Sequence, residues 1–474
     1  MKTKFLTLIG VVIAVALAMY FLAGDDGEQE RARQIAQRQI ADRQDRERKE
    51  RSDDTERSDD GVPSDRDDDP IKRLTELVIA EKSNALGDWT VAHRDGRGTL
   101  TFPFKPQKNG QLPDVVSKTG TSQPVETDFV GAAACKACHD DKHSGFIHTA
   151  HHQTSGTTNN IALDGKFEEP GNTLNTRDSG LSFRVTRDDE GYVQTAMIGD
   201  WQQQVPLDVF TGSAKTGRTF LYWKGDALFQ SHVSYLSGVD EWIPSPGFDA
   251  SRGDYTRRIR SACLECHMTY IQSKPGSNRY HKDTALWGVS CERCHGAGGP
   301  HVRFHEQNPN EKEAHAITHP RDLSRQRQLQ ICGQCHSGSF SLLGDAFSFR
   351  PGDELAKFHK PKNTDFKGVG GIHTSNQLTR LSMSECFKQS EMTCTTCHDP
   401  HVDQRDNLKA FTAKCLECHQ VEACGLSEKL GEKIRDDCVS CHMPVGENVG
   451  MTLEVSEGSL TINMIDHYIR VIEK

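Results

Sequence analysis

The run Cys-x-x-Cys-His occurs seven times: Cys135/Cys138/His139, Cys263/Cys266/His267, Cys291/Cys294/His295, Cys332/Cys335/His336, Cys394/Cys397/His398, Cys415/Cys418/His419 and Cys438/Cys441/His442. Composition alone predicts about 0.03 occurrences, so the spacing is itself the signal. Two thiols three positions apart stand about one helical turn from each other and both reach the vinyl groups of one porphyrin. The residue that follows then lies under the iron and offers its imidazole as proximal ligand. Zinc ribbons use CxxC pairs two at a time, and nothing in them demands a His after each second Cys. Adjacent CxxC pairs would also make strained disulfides. The chemistry implied is seven covalently attached haems c.

An electron-carrying haem needs a second axial ligand, and fifteen further histidines are available. His401 follows His398 in Cys-His-Asp-Pro-His, and His301 follows Cys-His-Gly-Ala-Gly-Gly-Pro. Both lie just past an attachment run, where a turn can aim them at a neighbouring haem. His151 in Thr-Ala-His-His, with His152 and His148 as close substitutes, His373 in Gly-Ile-His-Thr and His467 in Asp-His-Tyr are the next candidates. His232 and His319 are weaker ones. His93, His143, His281, His305, His315 and His359 read as surface residues. Met268 and Met443 directly follow proximal histidines and point wrongly for their own irons. Mostly bis-histidine ligation follows, and with it low potentials. Cys386 and Cys424 are left over; in an oxidising compartment they suggest a disulfide, the alternative being two buried thiols.

The elements that must hold these groups are lean. From Gly131 onward there are about 49 residues per motif. With 40 Gly, 7% aromatics and a mean hydropathy of −0.64, the chain is poor material for one aliphatic core. Porphyrin faces would supply the missing apolar area. The expected fold is therefore mostly α and irregular, short helices and loops wrapped on haems over residues 128–474, with a small β-hairpin insert at 175–250. There, Leu181 to Val185 and Tyr192 to Ile198 alternate about a turn, as do Thr219 to Trp223 and Ala227 to Tyr235. Everything after Cys263 reads as short helices and loops. Residues 71–86 carry a helical apolar pattern, and Phe102-Pro103-Phe104 suggests one strand within the otherwise unassigned segment 73–127.

At the N-terminus two lysines precede an apolar run over residues 5–23, which as a helix spans about 28 Å, enough for a bilayer. An uncleaved transmembrane anchor is the favoured reading over residues 1–24, a cleaved signal sequence the alternative. Either exports the chain, to the periplasmic face of the inner membrane or to the periplasm, where bacteria attach haem c. Residues 25–72 form a charged tract without an aromatic, expected to be a largely disordered tether. The net charge of −10 gives no case for nucleic acid.

From about Val130 onward the chain resembles bacterial multihaem cytochromes with a cytochrome c-552/4-like domain, relatives of the hydroxylamine oxidoreductase and pentahaem nitrite reductase superfamily. The resemblance rests on Val130-Gly131-Ala132, on Trp242 with Ser245-Pro246-Gly247-Phe248, and on Cys291 to Gly298. It continues in Cys386-Phe387, Cys394 to His401, and Cys438 to Pro444. It implies periplasmic electron transfer through closely packed haems, with His151, His301, His401 and His467 as ligands and Cys386 paired with Cys424. The attachment motif ending in Lys of the nitrite reductases is missing, no tyrosine is marked for a haem crosslink, and the first 130 residues have no counterpart. The expected function is electron transfer between a membrane donor and a redox partner. The rivals are an oxidoreductase acting on a small nitrogen or sulfur compound at one five-coordinate haem, and an electron-transfer subunit of a larger redox complex.

Overall fold

The computed structural model describes residues 77–81, 87–93, 98–107, 127–159, 162–163, 165–176, 180–189, 191–249, 251–362, 371–455 and 458–472, all within the unit Pro70–Lys474. The apolar run 5–23 and the charged tract lie outside these residues. No helix among the described residues is long and apolar enough to cross a membrane.

Up to the second attachment motif the chain is built of strands. They are β1 (Leu77–Glu81), β2 (Trp89–His93), β3 (Thr99–Phe102), β4 (Ser155–Thr157), β5 (Thr173–Asn175), β6 (Leu181–Asp188) and β7 (Gly191–Ile198). Then follow β8 (Trp201–Pro206), β9 (Val209–Thr211), β10 (Gly217–Lys224), β11 (Ala227–Leu236), β12 (Glu241–Pro244) and β13 (Arg252–Asp254). They form three sheets, ordered β1-β2-β3-β13, β5-β6-β7-β8 and β12-β11-β10-β9-β4. Period-two alternation decides which side chains go inward: on β6, Leu181, Phe183 and Val185 are buried while Ser182 and Arg184 are half-buried. The three sheets share one core, with Leu100, Phe102, Phe183, Val205, Tyr222, Phe229 and Tyr255 among its members. Each such side chain contributes about 1.5–3 kcal/mol on burial.

β11 is buried along its whole length because its sheet is covered on both faces. Phe229 faces the shared core, while Leu228 joins Leu221 and Trp223 against Leu264, Met268, Ile271 and Tyr280. The turn from β10 to β11 is Gly225-Asp226, with Gly225 at φ +59°, the left-handed conformation that a tight hairpin turn asks for.

Beyond the second motif, three hairpins stand where loops and helices were expected: β14 (Met268–Ser273) with β15 (Tyr280–Trp287), β16 (Phe340–Leu342) with β17 (His359–Pro361), and β18 (Val445–Val455) with β19 (Gly458–Ile465). The helices are short: α1 (Ala132–Lys136), α2 (Asp140–Phe146), α3 (Ser261–Leu264), α4 (Glu292–His295), α5 (Gly299–Gln307) and α6 (Arg325–His336). After these come α7 (Gln377–Leu381), α8 (Glu385–Lys388), α9 (Leu408–Leu416), α10 (Ser427–Leu430) and α11 (Val439–His442).

The mostly-α expectation is therefore wrong: among the described residues strands outweigh helices, and the β part is no small insert. Two further corrections follow. Residues 77–81, read as part of a helix, are a strand, because pairing with β2 on a sheet outweighs a weak local helical pattern. β3, the strand expected near Phe102, pairs in parallel with β13 and so ties the haem-free segment to the stretch between the first two motifs.

Candidate haem sites

Each attachment run folds as one tight turn. The backbone N–H of the histidine donates to the carbonyl of the first cysteine in His139→Cys135 (3.0 Å), His295→Cys291 (2.9 Å), His398→Cys394 (3.0 Å), His419→Cys415 (2.9 Å) and His442→Cys438 (3.0 Å). The fourth run occupies the last turn of α6, and His267 N–H closes onto Leu264 at 2.9 Å. This is the geometry the spacing calls for, both thiols on one side and the imidazole beyond them.

Four proximal rings stand opposite another imidazole. Ring centres are 6.5 Å apart for His139 and His301, 6.1 Å for His336 and His151, 6.3 Å for His295 and His401, and 6.3 Å for His398 and His467. Two imidazoles bound to one metal at about 2.0–2.1 Å on either side have centres roughly 6.3 Å apart. The residues present thus fit an iron between each pair. The planes are near parallel in three pairs (22°, 31° and 23°) and near perpendicular, 77°, in His151/His336.

The outer nitrogen of most of these rings is held. His295 Nδ1–H donates to the Thr318 carbonyl (2.9 Å), His301 to the His315 carbonyl (2.8 Å) and His442 to the Arg470 carbonyl (3.0 Å). His336 meets Gln377 Oε1 (2.9 Å), His401 meets Asp399 Oδ1 (3.0 Å), and His267 meets Thr154 Oγ1 (3.1 Å). A donor role at Nδ1 leaves Nε2 unprotonated and facing inward, as a metal ligand must be. Burial, with His336 and His398 beside it, lowers His151 to about 4. Burial, then His398, lowers His467 to about 4. Both rings are neutral at pH 7.

Distinct elements deliver the four opposing rings. His301 rides on α5, which starts directly after the third motif with Pro300 in its first turn. His401 is set by the His-Asp-Pro-His turn, where Asp399 Oδ1 accepts both its backbone and its ring N–H. His151 is clasped from behind: Val289 N–H donates to its carbonyl at 2.9 Å, and Gly288, at φ +69°, lies so close to the His152 carbonyl that a Cβ would collide with it. His467 follows Asp466, which is fully buried.

The remaining sequence candidates are elsewhere. His232 is buried in the β core, 4.4 Å from the Phe183 ring, with Nδ1 accepting from Asp254 N–H. His319 is exposed and accepts from Arg321 N–H at the start of a short 3-10 turn. His373 sits on Ser375 in the turn before α7. His152 packs its ring on Phe146 and is not a stand-in for His151. Among the described residues no ring pairs with His267, His419 or His442. Cys386 and Cys424 are free thiols here, as are the other fourteen cysteines.

Sequence reasoning missed the polar groups that lock the motifs to each other. Glu292, inside the third motif, accepts from Val130 N–H (2.9 Å), Gly131 N–H (2.8 Å) and Gly298 N–H (2.8 Å), which explains the Val130-Gly131 lead-in to the first motif. Its neighbour Arg293 reaches Glu265 of the second motif at 2.8 Å, both side chains buried. Thiols of different motifs also stand side by side: Cys135 with Cys291, Cys266 with Cys335, Cys294 with Cys335, Cys332 with Cys394, Cys397 with Cys415, and Cys415 with Cys438. In motif order this is an unbroken line 1-3-4-5-6-7, with the second motif beside the fourth.

Three attachment cysteines depart from the expectation of a chain wrapped closely on every haem. Cys138 and Cys418 are exposed and Cys441 is half-buried, and among the described residues none of the three is set against a thiol of another motif. Their turns are formed all the same: the backbone N–H donates to the first cysteine's carbonyl in Cys138→Cys135 (3.3 Å), Cys418→Cys415 (3.2 Å) and Cys441→Cys438 (3.3 Å). The physical reason is position. The first, sixth and seventh motifs lie at or next to the ends of the line, so only one of their two thiols has a neighbouring motif to pack on. Cys263, in the second motif beside the line, is exposed in the same way.

With this geometry in view, the comparisons are consistent. The profile of the family described as "Cytochrome c554 and c-prime" matches residues 248–296, which take in the second and third motifs. The chain is a multihaem c-type cytochrome that binds haem c. It is 26% identical over 220 residues to the multiheme cytochrome MtrA of Shewanella baltica, 42% of this chain and 60% of that protein. It is 22% identical over 447 residues to the dissimilatory sulfite reductase MccA of Wolinella succinogenes, 79% of this chain and 58% of that protein. It is 25% identical over 224 residues to the C-type polyheme cytochrome OmcC of Geobacter sulfurreducens, 42% of this chain and 27% of that protein. The chain spans three-fifths or less of the length of these relatives. These matches support no kinship to hydroxylamine oxidoreductases.

Proposed function

We propose that the chain carries seven haems c and conducts electrons outside the cytoplasm between a donor at the membrane and a second redox protein. The observation that carries this is the row of opposed imidazoles along a continuous line of attachment motifs. His301, His401, His151 and His467 are assigned as second ligands of the irons held by His139, His295, His336 and His398. A bound haem supplies the one-electron chemistry; the protein fixes spacing, ligand orientation and burial. Electrons enter or leave at the ends of the line, the first and seventh motifs, and at the second motif, which stands beside the fourth. Pyridine haemochrome and intact mass are expected to give seven haems per chain, and a lower number refutes the assignment.

A second reading is favoured by a specific observation: three proximal histidines, His267, His419 and His442, have no imidazole opposite them among the described residues. One such haem would be open to a small sulfur or nitrogen compound, in keeping with a likeness to a protein named as a sulfite reductase. Stoichiometric carbon monoxide binding by the reduced protein, with sulfite- or nitrite-dependent oxidation of a reduced viologen, supports the enzyme. A wholly low-spin, unreactive protein supports the conduit alone.

A further inference from the structure

The arm that follows β19 crosses two attachment motifs at once. Asp466 is fully buried and accepts from Arg380 Nε at 2.8 Å and Nη2 at 2.6 Å, and the Arg380 side chain is itself 1% exposed. The same carboxylate accepts from Tyr468 N–H at 3.0 Å and Arg470 Nη1 at 2.7 Å. Burial alone would push this carboxyl up; hydrogen bonds from Arg380, Tyr468 and Arg470 outweigh it and hold it below the usual range. Backbone contacts anchor the arm further, with Asp466 N–H on the Pro444 carbonyl at 3.0 Å and Ile469 N–H on Ser384 Oγ at 2.8 Å.

The residue after Asp466 is His467, whose ring centre is 6.3 Å from that of His398 in the fifth motif. Four residues on, the Arg470 carbonyl accepts the Nδ1–H of His442 in the seventh motif at 3.0 Å. A buried ion pair is costly to desolvate and stabilises less than well-packed apolar groups. What this pair does supply is a fixed orientation, since two prongs from Arg380 and a third from Arg470 allow Asp466 only one position.

We infer that Asp466, gripped by Arg380, is a positioning residue for two haem sites: it sets His467 opposite the iron of the fifth motif and sets the Arg470 carbonyl on the proximal His442 of the seventh. The inference rests on the assignment of His398 and His467 to one iron. It concerns a residue that touches neither iron, and it links two haems through one carboxylate.

The test uses full-length holoprotein and three variants, His467→Gly, Asp466→Asn and Arg380→Gln. In the ferric spectrum, His467→Gly turns one haem high-spin, and added imidazole restores it. Asp466→Asn and Arg380→Gln are expected to yield the same imidazole-reversible high-spin fraction and, unlike His467→Gly, to shift the midpoint potential of a second haem. If His467→Gly stays fully low-spin, the ligand assignment itself is wrong. If His467→Gly behaves as stated while Asp466→Asn and Arg380→Gln keep wild-type spectra and midpoints and lose only heat stability, the assignment stands and Asp466 has a merely structural role. Arg380→Lys, which keeps the charge and loses one prong, decides the matter should the other two fail to accumulate.

Discussion

Asp399 bonds both the backbone and the ring of His401, so one carboxylate shapes the turn and polarises the ligand it carries. A carboxylate at Nδ1 makes the imidazole a stronger donor to iron and favours the ferric state. Asp399→Asn is expected to raise the midpoint of one haem, read by spectropotentiometric titration. The pair is 34% and 49% exposed, so solvent screening keeps the shift modest, and a midpoint that does not move would remove Asp399 from the tuning groups. The ring planes carry a second expectation. With three near-parallel pairs and His151/His336 near perpendicular, the ferric protein should show one strongly anisotropic low-spin EPR signal among ordinary rhombic ones, and His336→Met should abolish that signal alone.

His232 is informative because it is buried and no haem ligand. Burial lowers it to about 3, with Asp254 opposing the shift and Arg257 adding to it. The folded state therefore holds it neutral where an unfolded chain, with a value near 6.5, binds a proton. Its contribution to stability is complete above pH 6.5 and is lost as pH falls toward 3. Asp208 acts oppositely: burial raises it to about 6, so its penalty is relieved as pH falls through that value. Comparing wild type with His232→Gln isolates the histidine, and the difference in unfolding free energy should shrink as pH drops from 6.5. A difference independent of pH would contradict it.

At the scale of elements, two attachment turns meet through Glu265 and Arg293, 1% and 3% exposed. Phe347 N–H also donates to Glu265, and the Phe347 ring lies 5.3 Å from the guanidinium. Removing one partner leaves a bare buried charge, so Arg293→Met is expected to cost about 3–5 kcal/mol in denaturant unfolding. Replacing both, as Glu265→Met/Arg293→Met, should recover most of that, and a double variant as unstable as the single one would show that the pair does more than neutralise charge.

The same elements show what was legible in the sequence. CxxCH turns are local, and so were readable; His301 and His401 were too, each sitting just past a motif. How deeply each thiol is covered was not, because the exposure of Cys138 and Cys418 depends on which other motif stands alongside. His151 and His467 needed the resemblance, because the rings they face are 185 and 69 positions away by the numbers of His336 and His398. The hairpins β14–β15 and β18–β19 did carry turn signals, Pro275-Gly276 and Gly458, but the assumption that haem ligation dictates all structure after Cys263 hid them. His232 was a poor candidate for a reason invisible in sequence: β11 is covered on both faces, so a polar residue on it has no route to a haem. Glu292 and Asp466 could not be found from the sequence, since nothing in a lone acidic residue says that distant groups converge on it.

At the scale of the whole molecule, the β part and the haem-binding part are not separate pieces of work. Thr154, just ahead of β4, meets the proximal His267, and Ser155 Oγ bonds the His267 carbonyl at 2.5 Å. The sheets thus brace the second motif, the one beside the main line. Phe183→Ala should cost about 3–5 kcal/mol in the β core while leaving the spectra of the His139, His295 and His398 haems unchanged, which magnetic circular dichroism can check.

The opposed histidines also have a consequence for the chain as a thread. The spans 139–301, 151–336, 295–401 and 398–467 overlap in succession, so every peptide bond from 139 to 467 lies inside at least one of them. With an iron fastened between each pair, the four spans act as interlocked clasps. A protease that nicks a surface loop anywhere in that stretch should leave two fragments that separate in denaturant and yet migrate together under native conditions.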